Sequence, residues 1–144
     1  GGFLLMTACD FRVVSENTRF SLPEIDIGIP LVWGGIPLLI EELGPSRARD
    51  YVMTCRQFGP EELTGVGFIH RLVSPDERKA ETENLAQKLS KKAALPLRLT
   101  KKQFLQHRAP DYPKLDAERF ARAVLDPGFL PTAMAYMQRL FNKE

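Results

Sequence analysis

The sequence predicts an α/β domain with two or three short strands in its front half and a helical back half. Three observations predict it. Short runs of β-branched and aromatic residues occur at residues 11–14, 19–22 and 68–73. Apolar residues recur at helical spacing at Ile36, Leu39, Ile40 and Leu43, and again at Ala48, Tyr51, Val52 and Cys55. Beyond Ser74 the apolar stripes keep the helical period to the end of the chain.

Taken in order, residues 3–8 are apolar on nearly every side and predict a buried helix starting at the pair Gly1-Gly2. A strand at 11–14 follows, then a turn at Ser15, Glu16 and Asn17. A second strand is expected at 19–22. Pro23 stops it and opens a Gly- and Pro-rich loop reaching Pro30. The stripe from Ile36 to Leu43 is a helix ended by Gly44-Pro45. Ser46 is expected to cap the next helix, and the two helices to pack as neighbours. Gly59-Pro60-Glu61-Glu62 begins a short helical turn. A strand at 68–73 leads to Ser74-Pro75-Asp76-Glu77, a helix start with Ser at the cap and Glu three residues later. Leu85, Leu89 and Ala93 are expected to face the core. Pro96 breaks this helix and opens another, with Leu97, Phe104 and Leu105 inward. A loop at 109–113 precedes a helix at 116–125. The turn Asp126-Pro127-Gly128 precedes a last helix from Pro131, with Met134, Met137 and Phe141 on one stripe. No linker divides the chain. The expected organisation is a front part, 1–73, and a helical part, 74–144, of one domain.

The 144 residues suit one domain, and a hydrophobic share of 44% allows a core of ordinary size. A net charge of +2 is too small to imply nucleic acid or a membrane surface by itself. No stretch is long and apolar enough to span a bilayer. The opening residues lack the basic region of a signal peptide. Cys9 and Cys55 lie far apart and pair with no His at metal-ligand spacing, so buried free thiols in a reducing compartment are expected, with no metal site. That compartment is the cytoplasm, or an organelle matrix in a eukaryote.

Three features carry chemistry or imitate it. Gly1-Gly2 stands before a buried helix. Helix N-termini present free N–H groups, and glycine lets a ligand approach them, which is half of an oxyanion hole. The plain reading is a flexible chain start. Glu24 follows Pro23 among Ile25, Ile27, Ile29, Leu31, Val32 and Trp33. A carboxylate desolvated there suits proton transfer near neutral pH. The plain reading is a surface glutamate, and Asp26 competes for the same role. Residues 88–108 hold seven Lys or Arg and no acid, which suits phosphates or nucleic acid, or else a solvated helix face. His70 and His107 stand alone and read as ordinary surface or strand residues.

The order of these pieces resembles the crotonase (enoyl-CoA hydratase/isomerase) superfamily. The resemblance rests on Gly1-Gly2, Ala8-Cys9-Asp10, Ser15-Glu16-Asn17-Thr18-Arg19-Phe20, Leu22-Pro23-Glu24, Gly28, Trp33-Gly34-Gly35, Gly44-Pro45-Ser46-Arg47-Ala48, Thr54-Cys55-Arg56 and Gly67-Phe68-Ile69-His70-Arg71-Leu72-Val73. It implies a crotonase-like ββα spiral, of which this is the C-terminal portion, followed by a helical trimerisation region. It implies an acyl-CoA substrate whose thioester oxygen is held by two backbone N–H groups. Gly1 matches the glycine supplying one of them, and Glu24 matches a family general acid/base. Leu4, Ile29 and Trp33 are implied at the acyl pocket, and Phe141 and Lys143 at the adenine end of coenzyme A. No cofactor is implied beyond the coenzyme A of the substrate.

Two departures shape the expectation. Leu4 stands where the hydratases carry a second glutamate. Hydration uses a pair of carboxylates, whereas one suffices to move a proton between carbons, so double-bond isomerisation is favoured. The family's front part, with its other oxyanion N–H, is expected ahead of Gly1. Two further readings follow: a catalytically inactive fragment or paralogue acting as an oligomerisation or acyl-CoA-binding subunit, and nucleic-acid binding through residues 88–108. A homo-oligomer, a trimer or dimer of trimers, is expected, with neither membrane nor nucleic acid as partner.

Overall fold

The computed structural model describes residues 1–106 and 112–141. The elements run α1 (Gly2–Thr7), β1 (Val13–Ser15), α2 (Glu24–Ile27), α3 (Gly35–Leu43), α4 (Pro45–Thr54), α5 (Pro60–Thr64), β2 (Arg71–Val73), α6 (Arg78–Ser90), α7 (Ala94–Gln106), α8 (Tyr112–Val124) and α9 (Phe129–Phe141).

The expected strands at 11–14 and 68–73 condense to β1 and β2, which pair in parallel with Val13 opposite Arg71 and Ser15 opposite Val73. The pairing extends through the Glu16 N–H, which donates to Val73 O at 3.0 Å. The expected strand at 19–22 is only a bridge. Phe20 and Phe58 exchange two backbone hydrogen bonds of 3.0 Å. Pro23 and the turn behind it leave no room for a longer ladder.

The core of the described residues lies between Phe3 and Ile69. Its hub is Phe3, whose ring centroid lies 5.2 Å from Phe20, 5.2 Å from Phe58 and 5.5 Å from Phe68. Tyr51 stacks on Phe58 at 3.8 Å. These contacts seat α1 on the Phe20–Phe58 bridge and on the loop before β2. The helix α1 is not buried all round, however. Phe3, Leu4 and Thr7 point inward, while Leu5 is 72% exposed.

The helices α3 and α4 pack as neighbours, as the short link requires. Only Leu39 and Leu43 of the first stripe are buried; Ile36 and Ile40 stay exposed. Gly44, not Ser46, caps α4, and Pro45 takes the first helical position. Pro45 has no N–H to satisfy, so it fits there better than Ser46 fits at the cap. Arg56 then ties the end of α4 to α5, reaching Asp50 at 2.8 Å and Glu62 at 2.6 Å.

The back half differs more from expectation. Ser74 does bond Glu77, Oγ donating to Oε2 at 2.7 Å, but residues 75–77 form a turn and α6 starts at Arg78. No residue of α6 is buried, with Leu85 and Leu89 half-exposed and Ala93 exposed. Pro96 lies in the first turn of α7, a position that tolerates proline, so the break falls at 91–93. Leu97, Phe104 and Leu105 are exposed, not inward. The helix expected at 116–125 starts earlier, at Tyr112. The turn before α9 is present, with the Gly128 N–H donating to Asp126 Oδ1 at 2.8 Å. Most of the loop expected at 109–113 lies outside the described residues.

Candidate functional site

Glu24 opens α2 in a stretch expected to be a loop. The single turn is bounded by Pro23 in front and by Gly28 behind, at φ +94°. It closes through three 3.0 Å bonds: Ile27 N–H to Pro23 O, Gly28 N–H to Ile25 O, and Ile29 N–H to Glu24 O. This places the first side chain of the turn inward. Glu24 is 7% exposed, and its Oε2 is buried with no hydrogen-bond partner among the described residues. Burying a carboxylate oxygen unpaired costs free energy, so native proteins rarely retain one without a use. Asp26, its competitor, is exposed on the same turn.

Gly1 caps α1, its carbonyl accepting the Leu5 N–H at 3.0 Å. A side chain added at Gly1 or Gly2 would meet nothing within 4 Å, so the helix start is open to close approach. Leu4 is buried against the start of α3. A Cβ at Gly35 would lie 3.1 Å from its Cδ1 and 3.0 Å from Leu31 Cδ2. Beside this contact, Trp33 and Gly34 form a left-handed turn at φ +59° and +69°. A bulky residue held there stores roughly 1–3 kcal/mol of strain, of the kind that clusters at ligand sites. Trp33 is 70% exposed.

The structure therefore joins Glu24 to Ile29 through α2, and Leu4 to the Trp33 turn through Gly35. It sets Phe141 apart. That ring is 74% exposed at the end of α9, about 18 Å along the helix from Phe129. Lys143 and His107 lie outside the described residues. An open cleft of about 440 Å³, lined by Gly28, Arg122, Asp126, Phe129 and Thr132 among others, includes none of the expected site residues. Among the described residues, no group of three or more His, Cys, Asp or Glu is arranged to hold a metal ion. Also among them, no helix is long and apolar enough to cross a membrane.

The model of the enoyl-CoA hydratase/isomerase family matches residues 1–123. The chain belongs to that family. It is 34% identical over 101 residues to the short-chain-enoyl-CoA hydratase of Clostridioides difficile, covering 70% of this chain and 65% of the relative. It is 35% identical over 123 residues to the carnitinyl-CoA dehydratase of Escherichia coli (strain K12), covering 85% of this chain and 46% of the relative. Among solved structures, an enoyl-CoA hydratase from Mycobacterium avium subsp. paratuberculosis K-10 superposes with a TM-score of 0.88 at 22% identity, covering 95% of this chain and 58% of that one. The fold is thus crotonase-like α/β. The chain spans less than two thirds of the length of these relatives.

One residue escaped the sequence reading. Arg12 is 5% exposed and ties four segments together. Its Nε donates to Phe68 O at 2.6 Å, one terminal nitrogen to Cys9 O at 2.7 Å, and the other to Glu42 at 2.7 Å, while its guanidinium lies 4.2 Å from the Phe68 ring centroid. The signal was present: in the strand expected at 11–14, Arg12 falls on the same side as Val14.

Proposed function

We propose that this enoyl-CoA hydratase/isomerase family member acts on an unsaturated acyl-CoA thioester, with Glu24 as the general acid/base. The buried, unpartnered Oε2 of Glu24 carries this reading. A carboxylate held away from water on a short, well-bonded turn is poised to take a proton from one carbon and return it to another. The open glycine start of α1 supports Gly1 as a contributor to thioester-oxygen binding. Ile29, Trp33 and Leu4 are proposed at the acyl group, and Phe141 and Lys143 at coenzyme A, with no further cofactor.

Isomerisation is favoured over hydration because Leu4 is apolar and packed, and activates no water. Hydration is the second reading, favoured by the 34% identity to a relative named as a hydratase. One experiment tests both. The protein expressed from its whole reading frame is mixed with crotonyl-CoA and with a 3-enoyl-CoA, and products are followed by NMR. A shifted double bond is expected from the 3-enoyl-CoA, and Glu24→Gln is expected to lower turnover by at least about 100-fold while sparing CoA-ester binding. A 3-hydroxyacyl product moves the assignment to hydration. Turnover unchanged in Glu24→Gln removes Glu24 from the chemistry.

A further inference from the structure

The helix carrying Glu24 has four residues. One turn has no stability of its own, so its orientation is set by what it packs against. It packs against α9 and, less extensively, α4. The contact with α9 falls on Gly28, the residue that closes the turn. A Cβ there would lie 3.2 Å from both Cβ and Cγ2 of Thr132 and 3.6 Å from Phe129 Cδ2. Gly28, at the end of α2, and the Thr132 side chain of α9 therefore lie too close to admit even a methyl between them. The open cleft beside this contact is lined by the same Gly28, Phe129 and Thr132, so among the described residues that side of the turn faces a cleft and not packed core.

Thr132 is built for such a seat. Its hydroxyl donates to Gly128 O at 2.8 Å, one turn back along α9. That bond fixes the side-chain rotamer of this exposed residue and leaves its methyl on the side facing Gly28. Threonine thus supplies both a lock and a methyl contact; serine keeps the lock and loses the methyl, and valine keeps the methyl and loses the lock.

We infer that Thr132 is a positioning residue for Glu24: α9 holds the catalytic turn in place through a methyl seat on Gly28. This rests on the proposed acid–base role of Glu24. It assigns to the C-terminal helix a part in the reaction about a hundred residues from the carboxylate it serves. The effect is on geometry, so it is expected in kcat and not in KM.

The test uses the protein from its whole reading frame, with the enoyl-CoA assay and amide hydrogen exchange read side by side. In Thr132→Ser, exchange of the Gly28 and Ile29 amides is expected to quicken about tenfold, and kcat to fall about tenfold with KM within about twofold. Thr132→Val is expected to restore both toward wild type, because its methyl again reaches Gly28. Unchanged exchange in Thr132→Ser overturns the seat. Faster exchange with unchanged kcat overturns the positioning role. A Thr132→Val variant as impaired as Thr132→Ser overturns the methyl as the contact. Unchanged turnover in Glu24→Gln overturns the acid–base reading itself, and the exchange result then judges the seat alone.

Discussion

Two residues outside the proposed chemistry hold the front half in register, and each has a measurable consequence. Arg12 supplies donors to two carbonyls and to Glu42, all within 2.7 Å. Arg12→Met fills similar volume but removes the buried donors to Phe68 O and Cys9 O and the ion pair with Glu42. The expected loss is about 3 kcal/mol, read as a lower urea midpoint at unchanged slope. A change under 1 kcal/mol would mark the cluster as surface-like. His70 sits beside it. Its Nδ1 accepts the Arg12 N–H at 3.3 Å, and its ring meets Phe11 edge-on. Burial, then the charge of Arg12, lowers its pKa below the ordinary value, Glu42 opposing and Arg71 reinforcing. The folded state thus disfavours the protonated ring. The stability His70 contributes is full above the unfolded-state pKa of about 6.5 and is lost as pH falls toward the folded-state value. His70→Gln is expected to flatten the fall in urea midpoint between about pH 7 and pH 5; an equally steep fall in the variant assigns the titration elsewhere.

At the scale of elements, periodicity located helices well and judged their surroundings poorly. The stripes of α3 and α4 were legible because each repeats over two turns or more. The turn α2 was not, since four residues between Pro23 and Gly28 give no period to read, and Pro–Gly flanks look the same around a loop. The Phe20–Phe58 bridge depends on partners 38 residues apart in the chain, which local pattern cannot join. Glu24 was legible as a candidate only from its apolar neighbours and the family resemblance; its orphaned oxygen is a property of packing. Gly35 shows the same limit. Apart from the family resemblance nothing local marks it, yet a Cβ there would press on Leu31 and Leu4 at 3.0 and 3.1 Å. Gly35→Ala is therefore expected to cost about 1–2 kcal/mol by overpacking, seen as a lower midpoint of thermal unfolding. The additional change Leu31→Val, which makes room, is expected to recover part of it. No recovery would place the strain in the backbone and not in this contact.

For the whole molecule, the decisive quantity is surface. The exposed apolar side chains concentrate in the back half. Among the described residues, nothing after Ile69 is buried, while Leu95, Phe104, Leu130, Met137 and Phe141 are each more than 40% exposed. Helices with apolar stripes do not leave them to water without a partner surface. This favours the homo-oligomer expected from the family, assembled through α7 and α9. In sedimentation at tens of micromolar, the protein from its whole reading frame is expected to run as an oligomer. Met137 and Leu140 lie on α9, away from Gly28 and Thr132 in sequence. Replacing both with Glu puts like charges into any interface between copies and is expected to shift the protein to monomer, with the far-ultraviolet spectrum of the helices retained. A wild-type protein that sediments as monomer would sink the idea. So would a double variant that stays assembled, because the apolar face of α9 would then be turned toward its own chain and not toward a copy.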